Sequence, residues 1–289
     1  RHANTPPNRV PPARTGGERA VRLRYSLRPE QRHMPRDIPV GNGDLLVTFD
    51  SHYRMRDLYF PRVGKHNHTD GNVQRFGVWV DGEFAWIEDT GWNREIRYRE
   101  DTLVTDVRLV HERLGIEVLS SDTVHSGDPV FLRRLVVRDL TGRQRDARVF
   151  HHLDFSINGS PVGDTANYDP DTAGVILYKD DSYFLINACD PFKCGIDHWA
   201  IGAKRVGGAE GTWRDAEDGK LGRNPISQGS VDATVGCNLR VPPLGEATMN
   251  LWIACGHSYA GVKALNRSIL ENTPERLIAR TEAYWRLWS

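Results

Sequence analysis

Two histidines flank an asparagine at His66-Asn67-His68, a spacing that puts both imidazoles on one face of an extended strand, as a metal-binding pair requires. No third ligand stands at a useful distance, so the stretch reads as a hydrogen-bonded polar loop, and no metal or cofactor is expected. Gly256-His257-Ser258-Tyr259-Ala260 follows an apolar strand pattern and precedes a helical one. It resembles a nucleophile elbow that lacks its last glycine, and Ser258 is better explained as a helix N-cap. His151 and His152 are adjacent, so on a strand they face opposite ways. Asp164, Asp169 and Asp171 fall in a Gly/Asn/Pro-rich stretch read as a loop, and Asp215, Glu217 and Asp218 precede Gly219. Neither group has the spacing of a calcium loop, so both are assigned to turns. Gly41-Asn42-Gly43 lacks the third glycine and the βαβ setting of a dinucleotide site. A glycosidase needs two carboxylates flanking one bond. With 38 acidic residues, the sequence alone singles out no such pair, and no catalytic residue is assigned.

Composition narrows the setting. The 38 basic residues balance the 38 acidic ones, which gives no electrostatic case for nucleic acid. No run of 18 apolar residues marks a membrane span, and no apolar segment near the start marks a secretory signal. The four cysteines, Cys189, Cys194, Cys237 and Cys255, are too few for a disulfide scaffold and form no C-x-x-C. Reduced, mostly buried thiols and a cytoplasmic location are expected. Residues 1–33 hold eight Arg and five Pro against two Glu, a net +6 that leaves −6 on the rest. That composition predicts a basic, flexible leader, with Met34 a plausible natural start.

The elements that must position these residues are mostly strands. Phe76–Val80 and Glu83–Ile87 flank Asp81-Gly82, the two left-handed positions of a type I′ hairpin turn. Further strands are predicted at 45–49, 102–110, 115–124, 130–139, 147–157, 175–179, 183–187, 233–241 and 247–254. Leu132–Val137 and Val149–Phe155 carry no Gly or Pro and read as interior strands. With no helices between them, the strands must pair antiparallel, and each sheet must bury a face. A large two-sheet sandwich over 34–256 follows. Helix is predicted only at the end, from Ser258 to Glu271 and again from Pro274, with Thr273 as N-cap. Leu277, Ile278, Thr281, Tyr284, Trp285 and Trp288 then recur at three- and four-residue spacing up to the last residue. A stripe with no stop signal implies that a further helical region follows.

Several separated segments carry a resemblance. These are Ile38-Pro39-Val40-Gly41-Asn42-Gly43-Asp44-Leu45-Leu46, Arg56-Asp57-Leu58-Tyr59-Phe60-Pro61-Arg62-Val63-Gly64, Asn67-His68-Thr69 and Arg75–Val80. Later come Asp215–Leu221, Gln228–Asp232 and Tyr284–Trp288. In this order they resemble the start of the bacterial and archaeal glucoamylase-like proteins of glycoside hydrolase family 15, from about residue 34 onward. The resemblance implies a mainly β fold, an antiparallel β-supersandwich followed by linker helices over 257–289, and then a barrel of paired helices that is absent here. The two catalytic Glu of an inverting hydrolysis would lie in that barrel, so none is carried onto this chain, which is expected to be inactive alone.

The implied partners are that helical domain and, in the full protein, an α-glucoside such as a malto-oligosaccharide or trehalose. Neither nucleic acid nor a membrane is implied. The loop bearing Tyr59, Pro61, Arg62, His66, Asn67 and His68 would approach the sugar or pack between domains. Tyr284, Trp285 and Trp288 would form the interdomain helix face. Two alternatives stay open: a free-standing carbohydrate-binding or interaction module, and a domain of a disaccharide phosphorylase.

Overall fold

A computed structural model describes residues 38–204 and 210–289. The expected leader and the Met34 start lie outside the described residues. Along the chain, β1 (Ile38–Gly41), β2 (Leu46–Phe49), β3 (Met55–Phe60) and β4 (His66–Asn67) form a four-stranded meander. β5 (Arg75–Val80) and β6 (Glu83–Trp86) start a second sheet. β7 (Trp92–Tyr98), β8 (Thr105–His111), β9 (Ile116–Val124) and β10 (Val130–Asp139) start a third. After them come β11 (Arg145–Leu153), β12 (Asp164–Asp169), β13 (Gly174–Lys179), β14 (Ser182–Cys189), β15 (His198–Ala203), β16 (Ile226–Gly229), β17 (Val231–Val241) and β18 (Glu246–Gly256). The second sheet runs β15-β17-β11-β5-β6, and the nine-stranded third sheet runs β16-β12-β13-β14-β18-β10-β9-β8-β7. All strand pairs between named strands are antiparallel. Helices α1 (Tyr259–Asn272) and α2 (Pro274–Arg286) end the chain.

The nine-stranded sheet faces the other two across one core. Phe49 of β2 meets Phe131 of β10 at 6.1 Å between ring centroids, and Phe60 of β3 meets Phe184 of β14 at 6.1 Å. Period-2 alternation assigns the faces. Phe131, Leu135 and Val137 of β10 point into the sandwich, with Leu251 and Ile253 of β18. The residues between them, Val130, Leu132, Trp252 and Ala254, form a second core with Val262 and Ile269 of α1 and Leu277 and Ile278 of α2. The central strands therefore read as unbroken apolar runs, because a sheet covered on both faces has no solvent side to encode. A smaller cluster covers the outside of the five-stranded sheet, where the 3-10 helix Thr212–Asp218 brings Ala216 onto Trp86, Phe150 and Ala200.

Most sequence expectations hold. Asp81 (φ 50°) and Gly82 (φ 102°) take the two left-handed positions of the hairpin turn. β10 and β11 are interior strands. Ser258 caps α1, its Oγ accepting the Gly261 N–H at 3.1 Å. Some expectations need correction: Asp215, Glu217 and Asp218 lie in the 3-10 helix Thr212–Asp218, not in a simple turn. The stretch of Asp164 and Asp169 is not a loop but strand β12, paired with β13 and β16. Its small and polar residues hide it, because Ala166 is its one fully buried apolar side chain, with Tyr168 packed half-buried against the core. Thr273 is the N-cap residue of α2 with Pro274 following, as expected, and its carbonyl accepts from Leu277, but at φ 62° its side chain makes no capping bond.

An Arg–Asp ion pair lies inside the sandwich. Arg133 of β10 and Asp122 of β9 are register partners. The guanidinium holds the carboxylate with Nε at 3.0 Å and Nη2 at 2.5 Å, both side chains nearly inaccessible. Four rings, Phe49, Tyr53, Phe76 and Phe131, lie 4.7–5.5 Å from the guanidinium carbon. Ser120 donates to Asp122 at 3.0 Å, and Tyr53 reaches Thr105 and Ser120 at 3.0 and 3.3 Å. Breaking such a pair strands a charge, whereas replacing both partners by apolar groups is near neutral. Asp122→Leu is expected to cost about 3–5 kcal/mol in urea unfolding, and adding Arg133→Met to recover most of it. Equal destabilisation in the single and double variants would show that the charges are not coupled.

Candidate functional site

Of the loop residues singled out in the sequence, some reach solvent and others hold the loop together. β3 and β4 pair through Tyr59–Asn67 and Phe60–His66, leaving Pro61–Lys65 as the connection. Gly64 sits at φ 83°, where any side chain would be strained. Asn67 is a structural clamp. Its Oδ1 accepts the N–H groups of Leu58 (3.1 Å) and Thr69 (3.2 Å) and the Thr69 hydroxyl (2.9 Å), and its Nδ2 donates to Asp57 at 2.8 Å.

His68 is fully buried, 4.7 Å from the Phe184 ring. Its Nδ1 lies 3.2 Å from the Asn158 N–H, so it accepts, and Nε2 must then donate to the Phe60 carbonyl at 2.9 Å. Burial outweighs that carbonyl bond and, with the charge of His66 adding to it, pushes the ring down to about 4. His68 is thus a neutral pin under the loop. His66 and Arg62 are exposed, and Tyr59 and Pro61 are half-buried. His66 stands 6.2 Å from His68 ring to ring. Among the described residues no group of three or more His, Cys, Asp or Glu is placed to hold a metal ion.

Pro61 and Arg62 form one wall of an open groove of about 470 Å³, and Gly256, His257 and Leu265 form the facing wall. The His257 ring lies 5.1 Å from Phe60. His257 is the residue that sequence reasoning misjudged. It entered only as part of a weak elbow pattern, and nothing in the sequence links it to a loop almost 200 residues earlier. The groove offers one guanidinium, one imidazole, a proline face and a single carboxylate, Asp44. That set can grip a polyhydroxylated or anionic group, but it lacks the two carboxylates that glycoside hydrolysis uses. The Gly41-Asn42-Gly43 turn beside it is structural: Asn42 Nδ2 donates to the carbonyls of His125 and Asp128, and its Oδ1 accepts from Asp44 and Leu45.

The aromatic end of α2 is a separate feature. α2 docks through Leu277, Ile278 and Thr281 and through an Arg99–Glu282 ion pair of 2.6 Å. Beyond Thr281 the stripe leaves the sheet. Tyr284 packs on Trp285 and Trp288 at 5.2 and 6.1 Å, while Leu287 and Trp288 are 84% and 74% exposed. The three predicted aromatics are therefore one cluster, half-buried at Trp285 and open at Trp288.

Fold comparison places these features among known structures. The chain superposes on a bacterial glucoamylase complexed with acarbose at a TM-score of 0.66 and 11% identity, covering 85% of this chain and 35% of that one. It also matches a putative kojibiose phosphorylase from the human microbiome at 0.54 and 8%, covering 86% and 35%. The chain spans about a third of each, and at such identities the likeness is one of fold. No protein-family model and no curated protein matches the sequence.

The buried His68 makes a pH-dependent prediction. Its folded value, about 4, lies below the ordinary 6.5 of the unfolded chain. Its neutral form is therefore fully accommodated above pH 6.5, and stability is lost as pH falls from 6.5 toward 4. Asp164 and Asp232, raised to about 6 by burial, act oppositely over part of that window, so the comparison must be with a variant sharing them. Relative to His68→Gln, the parent is expected to lose about 2 kcal/mol between pH 7 and pH 5 in urea unfolding. A constant gap would contradict a buried neutral ring.

Proposed function

We propose that this chain is the non-catalytic β-sandwich domain of a glucoamylase-like α-glycosidase similar to glycoside hydrolase family 15. In this reading it packs on a helical catalytic domain that follows it and shapes the access to that domain's site. The full enzyme would hydrolyse α-glucosidic bonds in malto-oligosaccharides, trehalose or related glucosides with inversion, in the cytoplasm. The observation that carries the reading is the end of α2. A stripe that begins as core at Leu277 and Ile278 continues as an aromatic cluster of Tyr284, Trp285 and Trp288, with Trp288 and the neighbouring Leu287 largely exposed. Large exposed aromatics in contact with one another mark a surface built for another module. The fold likeness to a glucoamylase, over about a third of that protein's length, supports the reading.

The likeness to a putative kojibiose phosphorylase favours a second reading, in which the attacking group is phosphate instead of water. One set of assays separates these possibilities. The 289-residue chain is expected to release no glucose from maltose, maltotriose or trehalose. The product of the gene extended past Ser289 should release glucose without phosphate, with the β-anomer appearing first by NMR. Glucose release by the 289-residue chain would overturn the non-catalytic role. Strict phosphate dependence would select the phosphorylase.

A further inference from the structure

Cys189 is the last residue of β14. After the turn Asp190-Pro191-Phe192-Lys193 the chain returns antiparallel and sets Cys194 directly opposite Cys189. The hydrogen bonds around the two residues define the type of pair. Asp190 N–H donates to the Lys193 carbonyl at 2.9 Å, and Gly195 N–H donates to the Ala188 carbonyl at 2.8 Å. These bonds flank the cysteines on both sides, which makes them a non-hydrogen-bonded cross-strand pair. In such pairs the Cα atoms approach to about 4.5 Å and the side chains lie on one face. A disulfide spans Cα separations of about 4.4–6.8 Å, so the bond fits the existing register.

The turn is held in place independently of the sulfurs. Asp190 Oδ1 accepts from the N–H groups of Phe192 at 2.7 Å and Lys193 at 2.9 Å, and the Lys193 ammonium pairs with Asp197. The two thiols differ in access: Cys194 is exposed and Cys189 is buried. Burial, and then the adjacent Cys194 thiol, push the Cys189 thiol far above its ordinary range. Cys194 is therefore the thiol that meets a reagent first.

We propose that Cys189 and Cys194 are a reversible redox pair, closing to an intrachain disulfide when the chain meets a small disulfide oxidant such as oxidised glutathione. The Cys194 thiolate attacks one glutathione sulfur and expels the other as a thiolate. Cys189 then gives up its proton, attacks the Cys194 sulfur, and expels the second glutathione. Two electrons pass from the cysteines to the oxidant, and the two cysteine protons end on two glutathione thiols. The bond would lock a six-residue hairpin whose tip, Phe192, is 95% exposed. Pro191, Phe192 and Lys193 form one side of a groove of about 710 Å³ that also includes Asn238, Arg240 and Thr248, so the redox state would set the stiffness of that wall.

The test is peptide mass spectrometry of the 289-residue chain after equilibration with oxidised glutathione and alkylation in denaturant. The expected product is a Cys189–Cys194 peptide 2 Da lighter and unalkylated. It should exceed any Cys194–glutathione adduct by about tenfold or more, as an intramolecular step should, and revert with dithiothreitol. Cys255, buried elsewhere, should remain alkylatable. A persistent glutathione adduct on Cys194, a bond from Cys194 to Cys237 or to a second chain, or alkylation of both thiols would each overturn the proposal.

Discussion

The central strands of the nine-stranded sheet have two apolar faces, and both must be covered. Its central strands cannot alternate apolar with polar, because β10, β14 and β18 have a sandwich on one side and helices on the other. The other sheets and the two helices meet that demand. The four- and five-stranded sheets close one face around Phe49, Phe76 and Phe131. α1 and α2 close the other around Trp252. Trp252 also carries the polar join, its indole N–H donating to Asn266 Oδ1 at 2.9 Å, with Asn187 donating to the same oxygen at 3.1 Å. A buried amide that accepts two bonds from the sheet fixes where α1 sits, since a shifted helix would leave those donors unpaired. The helices are therefore part of the fold rather than an appendage.

That arrangement produces both surfaces of interest. The groove exists because the β3–β4 hairpin rides over the edge where β18 turns into α1, setting Pro61 and Arg62 opposite His257. The aromatic cluster exists because α2 outruns the sheet it covers. His68 and Asn67 contribute from beneath: one bonds through both ring nitrogens and the other through both ends of its amide, so the exposed tip rests on a rigid base. A loop held in this way has little conformational entropy left to lose.

What the sequence discloses follows from which interactions are local. The β5–β6 hairpin is legible because Asp81-Gly82 encodes its own turn, and β10 because ten residues without Gly or Pro can only be an interior strand here. β12 escapes notice because Thr165, Asn167 and Tyr168 are polar or half-exposed. β7 escapes because an edge strand alternates charge with a few buried residues such as Trp92 and Ile96. At the candidate site, the loop residues are visible as types, but their roles are not. Whether a histidine donates to solvent or pins a core depends on Asn158 and Phe184, far along the chain. The proximity of His257 has no local signature, whereas the facing of Cys189 and Cys194 rests on a local turn opened by Asp190-Pro191.

The account stands on the helices being a structural cover for the sheet, and native-state hydrogen exchange read residue by residue tests this most directly. Amides of α1 from Val262 to Ile269 should exchange in the same slow class as those of β10, β14 and β18 beneath them, because one core holds both. Helix amides exchanging orders of magnitude faster than those strands would show that the outer face is not closed by this chain's own helices, and would contradict the account.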